Sequence, residues 1–191
     1  MKNETITNSS DRILAAATRI AQAHGYGGLN IRDLAEVVGI KAASVYHHFP
    51  SKAALAAAVA KRYWEDAAAH LDAMWSESED AAACLHEYPN TFRASLESEN
   101  RICLCSFMAA EIDDLPEPVK EEVRAFADVN VAWIKKMLIK GRFVATKEAE
   151  ARARAIFSAV AGAQLMARSR SDIAVYDTLV AAYRSAGLLP A

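Results

Sequence analysis

The sequence predicts an all-α protein, and three observations carry that expectation. Alanine dominates while glycine (7) and proline (5) are scarce among 191 residues, a composition that favours helices throughout. Apolar residues recur at i, i+3, i+4 and i+7 in one segment after another. Alternating valine- and isoleucine-rich runs of the strand kind are not found. At 53% hydrophobic and 24% charged the chain reads as a soluble globular protein, long enough for one or two domains.

Residues 1–8 are expected to be a disordered, frayed tail. Ser9, Ser10 or Asp11 can cap a first helix, whose apolar stripe is Ile13, Leu14, Ala17, Ile20 and Ala21. Gly25, Gly27 and Gly28 break it after His24, with Tyr26 as the anchor of the break. Asn30 is the natural N-cap of the next helix and Asp33 stands in its first turn. Ile31, Leu34, Ala35 and Val38 form its core face. Gly39 ends it, because glycine enters the left-handed region cheaply. Ile40 plugs the corner, and Ala42, Val45, Tyr46 and Phe49 begin a second short helix. That helix leaves Lys41, Ser44, Tyr46, His47 and His48 outside, donors suited to phosphate oxygens and base edges. Helix, glycine turn, helix is the DNA-binding helix-turn-helix arrangement, with the second helix in the major groove.

Pro50-Ser51 resets the chain. Ser51 caps a long helix from Lys52 to about Trp75, and residues 76–80, charged and polar, read as a loop. A helix over about 80–98 is kinked or split at Pro89, which removes a hydrogen bond and clashes with the preceding turn. Glu99-Asn100 reads as a turn, and Arg101 to about Ile112 as a strongly apolar helix buried on most sides. Leu115-Pro-Glu-Pro is a stop and a fresh start, Pro118 being acceptable in a first turn. Val119, Val123, Phe126, Val129/Asn130, Trp133/Ile134 and Met137 trace the next helix to Gly141, with Lys135, Lys136, Lys140 and Arg142 complementing its C-terminal dipole. Thr146 caps a helix over about Lys147–Arg168, and a last helix runs over about Asp172–Ala186. Ile156, Ala159, Val160, Ala163 and Ala167 give the penultimate helix a face of small residues, the kind that builds a four-helix interface between two subunits.

Two domains follow: a head over 9–69 that carries the helix-turn-helix, and a helical bundle over 70–191 whose small-residue face suits dimerisation. The boundary falls around residue 70, within the long helix rather than at a linker. Net charge is only −2, but residues 1–70 hold 8 Lys+Arg against 6 Asp+Glu while the remainder holds 14 against 18. The distribution, basic head on acidic body, suits a DNA-facing N-terminal region. Cys84, Cys103 and Cys105 make no disulfide framework, and Cys84, His86, Cys103 and Cys105 lack metal-ligand spacing, so no metal or cofactor is expected. The first ten residues lack the apolar core of a signal peptide, and no apolar run approaches about 20 residues. A cytoplasmic protein without a membrane span is expected. Phosphate-binding glycine loops, nucleophile elbows and paired metal motifs are absent, so an enzyme is not expected.

Residues 9–69 resemble the DNA-binding head of the TetR family of transcriptional regulators. The match runs from 25 to 52: Gly-aromatic, a polar residue before Ile-Arg-Asp-Leu-Ala, Gly-Ile, Ser-Val-Tyr-His-His-Phe, then Ser-Lys. The resemblance implies a homodimer, formed through the last two helices, whose recognition helices enter successive major grooves of a palindromic operator. It implies that Asn30, with Arg32 beside it, holds a phosphate at a helix N-terminus, and that Lys41, Ala43 and Ser44 face the groove. Tyr46 and His47 then bind backbone or flanking bases, Lys52 clamps a phosphate, and His48 and Phe49 pack. Many members carry a lysine two residues before the recognition-helix serine; here Ala42 stands there and the cation is Lys41, so specificity rests on few side chains.

The same resemblance implies that the bundle over 70–191 is also the ligand-binding domain, and the protein a repressor released by a small-molecule effector held there. Tyr63, Trp64, His86, Tyr88, Phe92, Phe107, Met108, Trp133 and Met137 are the expected lining, aromatics and methionines suited to a mostly apolar site, with His86 beside Glu87, or Gln164, as polar anchor. Cys-Leu-Cys-Ser-Phe-Met-Ala-Ala-Glu, Leu-Pro-Glu-Pro-Val and a Trp-containing helix are similar to one body type of the family, in which some relatives that sense electrophiles or oxidants carry a cysteine where Cys103 stands. The alternative signal is covalent modification of a cysteine, Cys103 or Cys105, which needs access and a thiol pKa lowered by a nearby cation or a helix N-terminus. Arg101 and a place in a first turn favour Cys103. A helical interaction protein that binds no DNA is the remaining alternative.

Overall fold

The computed structural model describes residues 9–190; the expected tail at 1–8 lies outside them. Regular structure among the described residues is helical: α1 (Ser9–His24), α2 (Ile31–Val38), α3 (Ala42–His48), α4 (Lys52–Ser78), α5 (Ala81–Glu97), α6 (Leu104–Ala110), a 3-10 turn (Ile112–Asp114), α7 (Glu117–Lys140), α8 (Ala149–Arg170) and α9 (Ile173–Ser185).

The head is built by local chemistry. Asn30 has extended backbone and its Oδ1 accepts the Arg32 N–H at 2.9 Å, while Gly39 closes α2 at φ 73°, a conformation that costs other residues. Ser51 Oγ accepts the Ala54 N–H at 3.0 Å and starts α4. The faces so oriented bring Ile13, Ala17, Leu34, Val45, Leu55 and Val59 into one fully buried core; truncating such a side chain, Leu34→Ala for instance, costs about 2–5 kcal/mol. Arg12 Nη2 donates to the Val38 carbonyl at 2.8 Å, tying α1 to the end of α2. Ser9, Ser10 and Asp11 stand in the first described turn of α1. The Asp11 carboxylate pairs with Arg62 of α4.

The body departs from the sequence reading at five places. The polar run 76–80 is not a loop up to Ser78: Ser76 Oγ bonds back to the Asp72 carbonyl at 2.9 Å, and α4 continues until Glu79 turns left-handed at φ 50°. Pro89 does not split α5, which is helical throughout. Tyr88, Pro89 and Phe92 are buried there, and packing on that face outweighs the lost bond. The helix expected from Arg101 starts only at Leu104, because the preceding N–H groups are engaged elsewhere. Arg101 N donates to the Ser95 carbonyl at 3.0 Å and Cys103 N to Gln164 Oε1 at 2.9 Å. Thr146 supplies no side-chain cap to α8, whose N-cap position is Glu148.

The fifth difference concerns α8 itself. Ile156, Val160, Ala163 and Ala167, expected to face a second subunit, are fully buried inside this chain. Small residues occupy both faces of the helix, so composition alone does not tell inside from outside. The exposed face carries Ala151, Ala155, Ser158 and Gly162, followed by Leu165 and Met166, the last two 59% and 46% exposed.

α7 is the centre of the body, packed on α4 along one side and on α8 along the other, with α5 and α6 against it. Arg93 of α5 grips Asp177 of α9 at 2.7 and 3.1 Å, and Tyr176 donates its hydroxyl to the Pro89 carbonyl at 2.7 Å. No helix among the described residues is long and apolar enough to cross a membrane.

Candidate functional site

Two features of the chain combine polar chemistry with access. The first is the outer surface of α2 and α3. Val45 and Phe49 turn inward, and helical geometry then points the intervening side chains outward. Arg32, Lys41, Ala43, Ser44 and His47 are exposed, and Tyr46 is 50% exposed. Asn30, Tyr46 and Lys52 meet around one concavity whose floor includes Gly27 and Ser51. Asn30 is already the N-cap of α2, so its amide and the first-turn N–H groups are presented together, an arrangement that attracts anions. Lys52 is less free than its sequence position suggests: its Nζ donates to the Gly27 carbonyl at 3.2 Å and stands over the Tyr26 ring at 4.5 Å. His48, expected to pack, is exposed; its ring lies edge-on to His47 at 5.6 Å and tilted to Phe49 at 6.2 Å. In a helix of seven residues the single buried stripe is filled by Val45, and His48 falls off it.

The second feature is a cavity of about 50 Å³ between α4, α5 and α7. Its apolar wall is Ala67, Leu71, Phe92 and Phe126, and its polar groups are Tyr63, His70, Thr91, Ser95, Cys103 and Asn130. An outer groove between α4 and α5 shares Tyr63, Ala67, His70 and Thr91 with it. Asn130, 2% exposed, accepts the Tyr88 hydroxyl at 2.9 Å and donates to the Phe126 carbonyl at 2.8 Å.

The sequence-expected lining is only partly brought together. Phe92, Cys103 and Tyr63 line the cavity. Met108 and Met137 are fully buried core, as is Tyr88. Trp64 donates its indole N–H to Glu122 Oε2 at 2.7 Å, and Phe107 lies under the Arg168 guanidinium at 5.5 Å. Trp133 stacks on Tyr88 at 5.9 Å and lines a separate shallow depression with Ala68 and Lys136. His86 is exposed, and its carbonyl accepts from Arg184 at 2.8 Å. Gln164 does not line the cavity; its amide ties α5 to the start of α6, accepting the Cys103 N–H at 2.9 Å and donating to the Phe92 carbonyl at 2.5 Å. His70, Thr91, Ser95 and Asn130 were missed. Asn130 alone left a signal, a polar residue in the apolar stripe of its helix.

Cys103 does not have the environment its sequence position suggested. It is the N-cap residue of α6 rather than a first-turn residue, and it is 2% exposed. Burial pushes its thiol pKa up, against the lowering effect of Ser106 and Tyr63. Cys105 is driven well above the ordinary thiol range, again by burial first. The Tyr63 hydroxyl, beside Cys103 and Cys105, is likewise held well above its ordinary range by burial. Among the described residues no group of three or more His, Cys, Asp or Glu is placed to hold a metal ion.

A three-helix head that presents an unobstructed polar second helix after a glycine turn defines the class of helix-turn-helix proteins. Known proteins place the chain within that class. The sequence model described as "Bacterial regulatory proteins, tetR family" matches residues 13–59. The HTH-type transcriptional repressor AcnR of Corynebacterium glutamicum is 42% identical over 62 residues. The match spans 32% of this chain and 31% of AcnR, about a third of that relative's length. A TetR-family transcriptional regulator from Agrobacterium tumefaciens is 31% identical with a TM-score of 0.83, over 89% of this chain and 92% of that one. A TetR transcriptional regulator from Legionella pneumophila superposes with a TM-score of 0.86 at 28% identity, over 92% and 95% of the two chains. The chain belongs to the TetR family of transcriptional regulators.

Proposed function

We propose that the protein is a homodimeric repressor that binds a palindromic operator through α2 and α3 and leaves it when a small molecule occupies the cavity between α4, α5 and α7. The observation that carries the DNA-binding part is the meeting of Asn30, Tyr46 and Lys52 on one concavity beside the exposed row of α3. These side chains are phosphate-binding types, and the exposed Lys41, Ser44 and His47 are of types that bond base edges or backbone. The name of AcnR, a transcriptional repressor similar over the head, supports repression rather than activation.

Dimerisation is supported by the outer faces of α8 and α9. Ala151, Ala155, Ser158, Gly162 and Leu165 on α8 recur at three- and four-residue steps, and Ala174, Thr178, Ala181 and Ser185 do so on α9. All are exposed. Small faces of this kind let helices of two subunits approach closely. Effector release is supported by the cavity, whose wall includes Cys103 at the start of α6; α6 in turn packs on α1 of the head. A ligand acts by binding the two dispositions of the head unequally, and by no more than that difference.

The test is selection of genomic fragments by the full-length protein, followed by binding to the recovered sequence across a salt series. A repeated palindrome with half-sites about one or two helical turns apart, bound with a steep negative log–log salt slope, is the expected result. Absence of salt-dependent binding to any fragment overturns the proposal and favours a helical interaction protein.

A further inference from the structure

Resting on the reading of the α4–α5–α7 cavity as the effector site, we infer that its ligand is a slender organic cation. An uncharged hydroxyl or amide end lodges in the cavity beside Asn130, and an ammonium remains in the outer groove at Asp66 and Glu87.

Size decides the shape of the inserted end. The cavity holds about 50 Å³, about a third of the roughly 150 Å³ that admits benzene in a rigid protein interior. A ring does not enter without repacking Phe92 and Phe126; an extended chain does. The groove outside is far roomier, at about 430 Å³, so the larger part of the ligand lies there.

Hydrogen-bonding capacity decides the chemistry of that end. An amide side chain offers two N–H donors and two carbonyl lone pairs. Asn130 uses one donor on the Phe126 carbonyl and one lone pair on the Tyr88 hydroxyl. One of each is left without a partner among the described residues, on a side chain 2% exposed and lining the cavity. Each amide atom thus keeps one further site for a guest in the cavity, and an alcohol or amide, which both donates and accepts, matches that capacity.

Charge decides the other end. Asp66 stands one turn from His70 along α4, and Glu87 one turn from Thr91 along α5, so both carboxylates border the groove. Glu87 makes no ion pair among the described residues. Asp66 has only Arg62, at 3.7 Å, a guanidinium whose shorter pairing is with Asp11. Lysine and arginine are absent from the lining of both cavity and groove, where His70 is the only imidazole. An anionic ligand would meet two carboxylates, with no lysine or arginine in the lining to offset them.

The probes are matched chains differing only at one end: four- and six-carbon amino alcohols, the corresponding diols, and the corresponding hydroxycarboxylates. Binding to the dimer is measured by calorimetry or saturation-transfer NMR, and operator binding is measured separately. We expect affinity to fall in the order amino alcohol, diol, hydroxycarboxylate. The double variant Asp66→Asn/Glu87→Gln should lose about three- to tenfold for the amino alcohol, the range of exposed ion pairs, and nothing for the diol. Ala67→Phe, which plugs the throat, should abolish binding of both. Equal or tighter binding of the hydroxycarboxylate, binding that survives Ala67→Phe, or no binding of any probe at 10 mM to a protein that still binds operator overturns the inference. Loss of operator binding in the unmodified protein would instead remove the regulatory reading on which it rests.

Discussion

The carboxylate of Glu111 accepts the backbone N–H of Tyr26 at 2.8 Å, joining residues 85 apart in the chain. Glu111 follows α6 directly, and Tyr26 lies in the glycine-rich break between α1 and α2. A Cβ on Gly25 would come within 2.4 Å of the same carboxylate oxygens, and Gly25 has φ +66°. Glycine therefore suits this position by its conformation, and any side chain there would have to displace the Glu111 carboxylate.

Gly25→Ala is expected to destabilise the protein by about 1–2 kcal/mol, through left-handed strain and a displaced Glu111. Glu111→Ala should cost about 1 kcal/mol by leaving the Tyr26 N–H without its partner. Because both act on one bond, the double variant should cost less than the sum. Denaturant titrations of the three variants check this; full additivity would separate the two effects.

Tyr46→Ala should weaken operator binding by about 1–2 kcal/mol, five- to thirtyfold, with no change in melting temperature. Its ring is half exposed, and its hydroxyl makes no hydrogen bond among the described residues. Lys52→Ala should differ by lowering both, since Lys52 also bonds the Gly27 carbonyl and covers Tyr26. Mobility-shift titration together with thermal melting distinguishes the two patterns.

The three thiols should label slowly in the native protein. All are free and buried, and burial raises each pKa, so the reactive thiolate is scarce. Disulfide-exchange labelling should proceed at the rate of opening and accelerate in denaturant. Rapid labelling of Cys103 before any unfolding would instead restore the covalent-signal reading.

Leu165→Arg with Met166→Glu should convert a dimer to monomers on sedimentation without lowering protomer stability, because both side chains point to solvent in the single chain. Gly162, whose added Cβ would meet nothing within 4 Å, offers the complement. Gly162→Ala should stabilise the protomer by about 0.5–1 kcal/mol, and any loss of the dimer measures how closely the helices approach there.

The Arg93–Asp177 pair makes a pH-dependent contribution of known sign. The hydrogen bond from Arg93 holds the Asp177 carboxyl below its ordinary range. A lowered folded-state pKa adds stability that is present above the unfolded-state value and lost as pH falls through the folded one. Asp177 is half exposed, so Asp177→Asn should cost no more than about 1 kcal/mol at neutral pH. The gap between variant and wild type should close as the solution is acidified through and below the carboxylate range.

The head was legible in the sequence because its determinants are local. Asn30, Gly39 and Ser51 act on neighbours within three or four residues, and the structure places each where its chemistry requires. The cavity was largely illegible because its polar groups come from three helices, and burial there depends on packing between them. Gln164 looked available until the Cys103 N–H and the Phe92 carbonyl, 61 and 72 residues away, were seen to hold it. Those same long-range bonds delay the start of α6, against the apolar pattern of Arg101–Cys103. On α8, alanine on both faces hid the distinction between a wall of the protomer and an outer surface.

α4 runs unbroken from Lys52, at the edge of the head, past Tyr63 and Ala67 at the cavity, to Ser78. At 1.5 Å per residue, Lys52 and Tyr63 are separated by about 16 Å of axis. If occupation of the cavity tilts α4, the helix transmits that tilt as a rod with Lys52 near its tip. A tilt of about 5° pivoting at Tyr63 would carry Lys52 sideways by about 1.4 Å over that length, and in a two-fold dimer the two displacements add. Gain of that kind needs no unfolding and no hinge; it needs only that the rod stay stiff between fulcrum and tip.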